Sequence, residues 1–317
     1  MINVLANDGI SKSGKDSLEK DGFNVSTVTV AQNQLISYVN KENISVLLVR
    51  SATTVRKDLI DQCPGLKIIG RGGVGMDNID VDYARNKGIN VINTPAASSA
   101  SVAELVFAHL YSGVRFLFES NRAMPLEGDS NFKGLKKTYA KGVELRGKTI
   151  GIIGFGRIGR ETAKIAIGVG MKVLAYDKFL EKADLTLDFH DGKKIDFEIK
   201  ISKFDYLLKN SDFISLHVPA QKNFVINKKE IDMMKDGAGL INAARGGVVN
   251  EVELVSALDS GKLSFAGLDT FENEPKPAVK LLMHPKISLT PHIGAATNEA
   301  QDRIGLELAD QIKSILN

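Results

Sequence analysis

Apolar residues come in short continuous runs, each followed by a stretch in which they recur every three or four positions, and this alternation repeats along the chain. Runs at 3–5, 25–28, 46–49, 67–69 and 90–92 predict strands separated by helices. Parallel neighbours need such crossovers, so the pattern reads as a parallel α/β sheet. The alternation resumes at 149–153 and continues with strands near Val173, Ile214, Leu240, Phe265 and Ile287. The fold class expected is α/β, as two doubly wound parallel-sheet domains of Rossmann-like or flavodoxin-like type with an active-site cleft between them. The expected division is 1–97 with 297–317 as one domain and 98–296 as the other.

Three segments stand outside the simple alternation. Residues 98–124 place Val102, Leu105, Val106, Leu110, Val114 and Leu117 on one face, which predicts a single long helix. The following stretch, 125–142, is polar and rich in glycine and lysine, and is expected to be a loop. Around Asp191-Gly192, residues 185–201 alternate apolar and polar on both sides, a hairpin signal and an elaboration of the surface. The helix expected at 298–316 follows the last strand and is expected to return to the first domain.

At 148–160 the chain reads Lys-Thr-Ile-Gly-Ile-Ile-Gly-Phe-Gly-Arg-Ile-Gly-Arg. A short apolar strand runs into Gly154, Gly156 and Gly159, and the next strand ends at Asp177. Those three glycines suit a tight turn, close approach of backbone to a pyrophosphate, and tight packing of helix on sheet, with the anion at the helix N-terminus. Glycine-rich turns alone are common. Strand, turn, helix and acidic strand end at this spacing identify a dinucleotide site. Asp177 would accept hydrogen bonds from the adenosine ribose hydroxyls and repel a 2′-phosphate, which predicts NAD over NADP, although Lys178 beside it softens that preference. The domain expected at 98–296 is therefore the NAD-binding one, and the other the substrate-binding one.

Composition narrows the possibilities. With 317 residues, 43% of them apolar and 25% charged, the chain is long enough for two ordinary soluble cores. A net charge of +3 without a long basic run gives little drive toward nucleic acid or an anionic membrane. No apolar run approaches the roughly 18 residues a membrane helix needs. The amino terminus enters a strand pattern directly, without a secretory leader. Cys63 is the only cysteine, read as a helix-end residue, and no Cys/His cluster has zinc spacing. A reduced, cytoplasmic setting without a metal is expected.

Three later strands each end in a sequence able to do chemistry: 242–247 with Arg245, 269–275 with Asp269 and Glu274, and 290–297 with His292. Taken singly each has an ordinary alternative: Arg245 as a helix cap, Glu274 as a solvated loop carboxylate, His292 as a turn residue. Open α/β sheets bind ligands at the carboxyl ends of their strands. Oxidising a 2-hydroxy acid requires a cation for the carboxylate, a base for the hydroxyl proton and a partner for that base, which are the groups supplied here.

Further motifs, 49–53 (Val-Arg-Ser-Ala-Thr), 70–80 (Gly-Arg-Gly-Gly-Val-Gly-Met-Asp-Asn-Ile-Asp), 93–95 (Asn-Thr-Pro) and Pro291-His292, resemble the D-isomer-specific 2-hydroxyacid dehydrogenase family along nearly the whole chain. The resemblance implies that Arg245, Glu274 and His292 are catalytic, with His292 taking the hydroxyl proton and Glu274 favouring its imidazolium form. It implies cofactor contacts at Val74, Arg157, Ile158, Asp177, His217, Val218, Pro219, Ala243, Arg245, Asp269, His292, Gly294 and Ala295, beside the three fingerprint glycines. Substrate contacts fall on Arg50, Ser51, Gly73, Val74, Gly75, Arg245 and His292. Within the family, Val-Arg-Ser-Ala-Thr is similar to the branch acting on phosphoglycerate in serine biosynthesis. Members acting on glyoxylate, hydroxypyruvate or D-lactate, and NAD-binding corepressor scaffolds, are the alternatives. A basic residue follows Trp in the phosphoglycerate branch; here 135–137 is Leu-Lys-Lys, and Lys137 is expected to supply positive charge to a phosphate. The family implies a homodimer through the segment 98–124, where Phe107, Phe116 and Phe118 exceed what one core-facing stripe needs. The sequence stops after the helix at 298–316, and no serine-binding regulatory domain or strong serine inhibition is expected.

Overall fold

The computed structural model describes residues 1–316, which form two compact units, 1–101 with 295–316, and 102–294. The chain begins β1 (Ile2–Ala6), α1 (Lys12–Lys20), β2 (Phe23–Ser26), α2 (Leu35–Lys41), β3 (Ile44–Val49), α3 (Lys57–Gln62), β4 (Ile68–Arg71), α4 (Val81–Asn86), β5 (Asn90–Asn93) and α5 (Ser99–Val114). It continues α6 (Leu117–Glu127), α7 (Phe132–Thr138), β6 (Thr149–Ile153), α8 (Arg157–Val169), β7 (Lys172–Tyr176), β8 (Lys182–Asp188) and β9 (Lys194–Lys200). Then follow α9 (Phe204–Asn210), β10 (Phe213–Leu216), α10 (Lys228–Met233), β11 (Ala238–Asn242), α11 (Glu251–Ser260), β12 (Leu263–Leu268), α12 (Val279–Leu282), β13 (Ile287–Leu289) and α13 (Asn298–Leu316).

In the first unit five parallel strands lie in the order β2-β1-β3-β4-β5. Strand β3 is buried on both faces from Val46 to Val49, which is why that stretch reads as an unbroken Val/Leu run. Its alternate residues divide the core: Leu47 and Val49 join Leu5 and Ile69 on one face, while Val46 and Leu48 join Val4 and Ile68 on the other. The second face is closed by Ile304, Leu308 and Ile312 of α13. Where α13 crosses α1, Gly14 meets Gly305 so closely that a Cβ on Gly14 would lie 2.6 Å from the Gly305 backbone. Cys63 is the buried C-cap of α3, and burial pushes its thiol up.

The second unit holds six parallel strands in the order β13-β12-β11-β10-β6-β7. Strand order reverses at β6, so β6 and its neighbour β10 define the crevice where such sheets take ligands. Helices α5 and α8 cover one face through Val106, Leu110, Ala163 and Ala166, and α9 to α11 cover the other.

The segment 98–124 is not one helix. The carbonyl of Val114 accepts the Val143 N–H at 2.9 Å instead of continuing the helical ladder, and Phe116 takes a left-handed conformation at φ 55°. Gly113 just before the break lies against the Phe265 ring, which any Cβ there would overlap. The stretch expected to be a loop is largely helical as well. Helix α6 runs through Pro125 near its C-terminal end, where the ring removes one helical amide bond and crowds the carbonyl one turn back, and α7 follows after a short turn. The hairpin is present as antiparallel β8 and β9 with Gly192 at φ 84° in its turn. Ala183 and Leu185 are buried with Phe197 and Ile199 packed beside them, and Ile201 bridges to Ala175 at the sheet edge. Among the described residues no helix is long and apolar enough to cross a membrane.

Candidate active site

The turn after β6 is shaped by contacts of the protein itself. Gly154 sits at φ 92° with the His217 carbonyl 2.5 Å from where its Cβ would be, and a Cβ on Gly159 would run into the Gly154 carbonyl. Both positions exclude a side chain. Gly156 is different: it caps α8 without a side-chain bond, and a Cβ there would meet no protein atom within 4 Å. Its backbone is open to approach at the N-terminus of a helix of 13 residues, a fit to the pyrophosphate of a dinucleotide. Arg157 is exposed in the first helical turn beside half-buried Ile158.

Asp177, at the end of β7, accepts the Phe155 N–H on Oδ2 and the Phe179 N–H on Oδ1, each at 2.9 Å. It thus holds the glycine turn in shape, a task the sequence did not disclose. An ionised carboxylate has about four acceptor directions, so it retains capacity for ribose hydroxyls. After β10, His217 packs beneath the same turn. Its Nε2 lies 2.9 Å from Ser215 Oγ and 3.3 Å from Thr162 Oγ1, while Nδ1 is buried without a partner among the described residues. Burial drives its pKa down to about 3, so the ring is neutral. Val218 is half-buried against Gly154 and Pro219 is exposed.

The three chemical sequences lie at the ends of adjacent strands β11, β12 and β13. After β11, Asn242 folds the turn: its side chain accepts the Ala244 N–H at 3.1 Å and donates to the Arg245 carbonyl at 2.9 Å, with Ala243 buried between. Arg245 Nη1 donates to the Ala244 carbonyl at 2.6 Å. Gly246 presses on the loop after β12, where a Cβ would overlap the Phe271 carbonyl. Glu251 and Glu272 fasten the same two loops, each carboxylate accepting the other's backbone N–H at 2.7 and 2.8 Å. Half-burial and the negative charges of Glu272 and Glu274 raise the Glu251 pKa.

His292 and Glu274 are brought into direct contact. His292 Nδ1 lies 2.8 Å from Glu274 Oε2, and Oε1 of the same carboxylate accepts the Phe271 N–H at 3.0 Å. Because the ionised carboxylate only accepts, Nδ1 carries the hydrogen and Nε2 is left for exchange. Both side chains are about one-third exposed, 37% and 36%. His292 itself has φ 55°, uncommon for a residue with a Cβ. Buried Asp269 accepts the two amides that follow, Ile293 N–H and Gly294 N–H, each at 2.8 Å. Ala295 then accepts from Gln301 Nε2 at 2.7 Å.

The first unit carries its own candidate loops at the carboxyl ends of β1, β3 and β4. Asp8 accepts the Arg50 N–H at 2.6 Å and the Thr53 N–H at 3.1 Å on one oxygen, and the Thr53 hydroxyl at 2.5 Å on the other. Asn78 donates to the Arg50 carbonyl at 2.7 Å, so the Arg50 backbone is pinned from both sides while Ser51 stays exposed. Asn7, Asp8 and Asn78 were not singled out from sequence; the two adjacent polar residues closing the apolar β1 were the available signal. In the glycine-rich loop the Gly73 N–H donates to the Arg71 carbonyl, and Asn93 donates to the Val74 carbonyl at 2.7 Å. An anion held there would take its amides from Val74 and Gly75. Lys137 is exposed on α7. Among the described residues no group of three or more His, Cys, Asp or Glu side chains is placed to hold a metal.

Residues 107–294 match the family model described as the NAD binding domain of D-isomer specific 2-hydroxyacid dehydrogenases. The chain belongs to this family. A hydroxypyruvate reductase of Thermotoga maritima is 42% identical over 98% of this chain and 96% of its own length. A D-3-phosphoglycerate dehydrogenase of Archaeoglobus fulgidus is 39% identical over 98% of this chain, which spans 56% of that longer protein. Among solved structures, the TT0316 protein from Thermus thermophilus superposes with a TM-score of 0.85 at 29% identity, covering 99% of this chain and 97% of the other. The chain is thus a D-2-hydroxyacid dehydrogenase by family, and its cofactor is NAD.

Proposed function

We propose that the chain oxidises 3-phospho-D-glycerate to 3-phosphohydroxypyruvate, the opening step of serine biosynthesis, with Arg245, Glu274 and His292 as its catalytic residues. The observation that carries the catalytic assignment is the His292–Glu274 pair at 2.8 Å, which joins the loops after β13 and β12, the latter next to the loop after β11 that bears Arg245. Arg245 binds the substrate carboxylate and its C2 oxygen through parallel N–H donors. His292 Nε2 takes the C2 hydroxyl proton, and Glu274 stabilises the imidazolium that results. NAD, when bound, supplies the acceptor for the C2 hydride. The Gly156 turn and the open end of α8 would hold it, with Asp177 toward the ribose.

The phosphorylated substrate is favoured by Arg50, a second arginine on a loop pinned by Asp8 and Asn78. The resemblance assigns this arginine to the anionic end of the substrate. Hydroxypyruvate is the second reading, supported by the 42% identity to a hydroxypyruvate reductase. A panel of 3-phosphohydroxypyruvate, hydroxypyruvate, glyoxylate and pyruvate with NADH separates the two. We expect kcat/KM at least ~10-fold higher for the phosphorylated acid, as one well-placed ion pair provides, and Arg50→Ala to remove that advantage. Equal or greater efficiency on hydroxypyruvate refutes the substrate. His292→Gln should cost roughly 10²–10⁴ in kcat with NADH affinity retained; near-normal turnover refutes the mechanism. Tight NADH binding without turnover on any acid points to a scaffold instead.

A further inference from the structure

Helix α5 carries a buried histidine, His109, that the proposed mechanism does not use. Its ring lies over β12 at Gly267, where a Cβ would come 2.6 Å from the His109 Cβ and 2.9 Å from its Cγ. Next to that gap, β13 presents Ser288 Oγ at 2.9 Å from Nδ1, and Thr290 Oγ1 lies 3.0 Å from Nε2. A missing side chain and two hydroxyls, from two neighbouring strand segments, thus form a slot fitted to an imidazole. The slot lies at the β13 edge of the sheet, on the strand that leads into the His292 loop.

The hydrogens in this slot can be assigned. Thr290 donates its one hydroxyl hydrogen to Asp269 Oδ1 at 2.6 Å. Its oxygen is therefore the acceptor toward His109, and Nε2 carries the hydrogen. Nδ1 then accepts from Ser288. Burial lowers the His109 pKa and favours this neutral form, opposed by the charge of Asp269. The chain of donors runs in one direction, from Ser288 and His109 through Thr290 to Asp269, and such chains strengthen each member.

Asp269 directs its other bonds to the Ile293 and Gly294 amides, the two that follow His292. Those bonds fix the peptide that keeps His292 at φ 55° with Nδ1 on Glu274. A non-glycine residue in this conformation costs about 1 kcal/mol or more and persists only where its surroundings impose it. We infer that His109 is a positioning residue, which acts through Thr290 and Asp269 to hold the left-handed turn that aims His292. The inference rests on the proposed role of His292.

The test is a double-mutant cycle on the intact protein, with NADH and either 3-phosphohydroxypyruvate or hydroxypyruvate, whichever the wild type reduces faster. His109→Leu and Thr290→Val should each lower kcat about 10-fold, with the NADH dissociation constant changed less than about 2-fold. Because both interrupt one chain, the double variant should be no slower than the worse single. His109→Gln, which restores an N–H donor toward Thr290, should recover most of the loss. An unchanged kcat in His109→Leu, losses that multiply in the double variant, or no recovery with Gln overturns the inference. His292→Gln measured alongside separates the two claims. If it is inactive while His109→Leu is normal, only the positioning role fails; if it is active, the mechanism fails.

Discussion

His217 makes the stability of the second unit depend on pH in a way that can be calculated. In the folded protein burial holds its pKa near 3, whereas in the unfolded chain an ordinary histidine titrates near 6.5. Below about pH 6.5 the unfolded chain binds a proton that the folded one refuses, so stability is complete above that pH and is lost as pH falls toward 3. Each pKa unit is worth about 1.4 kcal/mol, which puts the whole window at roughly 5 kcal/mol. At pH ~5 the loss from this one group is roughly 2 kcal/mol. The perturbation is His217→Gln, which does not titrate and retains an amide able to reach Ser215 and Thr162. Urea unfolding followed by far-UV circular dichroism at about pH 7.5 and about pH 5 gives the loss for each protein. His109, also buried with a lowered pKa, contributes with the same sign in both and cancels in the difference. The variant should lose roughly 2 kcal/mol less than wild type between the two pH values. Equal losses would refute the claim that His217 is kept neutral by its burial.

The fingerprint glycines should separate folding from binding. Gly159→Ala, whose Cβ would meet the Gly154 carbonyl, should destabilise the protein by about 1–3 kcal/mol in urea. Gly156→Ala meets no protein atom and should leave stability nearly unchanged while weakening NADH binding in a fluorescence titration. Wild type should have a higher kcat/KM with NADH than with NADPH because of Asp177. Asp177→Ser should narrow that preference and also loosen the turn through the lost Phe155 bond, seen as faster amide exchange at Phe155. Helix α6 has no buried residue yet exposes Leu117, Met124 and Leu126, and α7 exposes Phe132. Light scattering should therefore show a dimer, and Leu126→Asp should shift it toward monomer; a wild-type monomer at micromolar concentration rejects this.

The strands were readable because a parallel strand buried on both faces leaves an unbroken apolar run, as at 46–49 of β3, and the glycine turn because Gly154 takes a positive φ and Gly159 has no room for a Cβ. The break at Phe116 was not readable. It arises from the Val143 amide and the Phe265 ring, which are remote in sequence from the periodic pattern that favoured one helix. The loop expected at 125–142 rested on polarity and glycine content, and such local composition is a weak guide where α6 and α7 form. At the candidate site the motif residues Arg245, Glu274 and His292 stood out by type and spacing, and the His292–Glu274 contact follows from adjacent strand ends. What sequence did not disclose is how these groups are held. Asp8 beneath Arg50, Asp177 on the Phe155 amide and Asp269 on two consecutive amides all act on backbone atoms, which look the same at every position of a sequence.

The building of the first unit from an early and a late segment has a consequence for synthesis. A nascent chain that has emerged through residue 101 carries five strands and α1, but one side of that sheet and the glycine groove of α1 stay wet until Ile304, Leu308, Ile312 and Gly305 leave the ribosome. Nearly two hundred residues of the intervening unit are translated in the meantime. The part made first is completed last, and the half-built sheet must be kept from sticking to its neighbours until its final helix arrives.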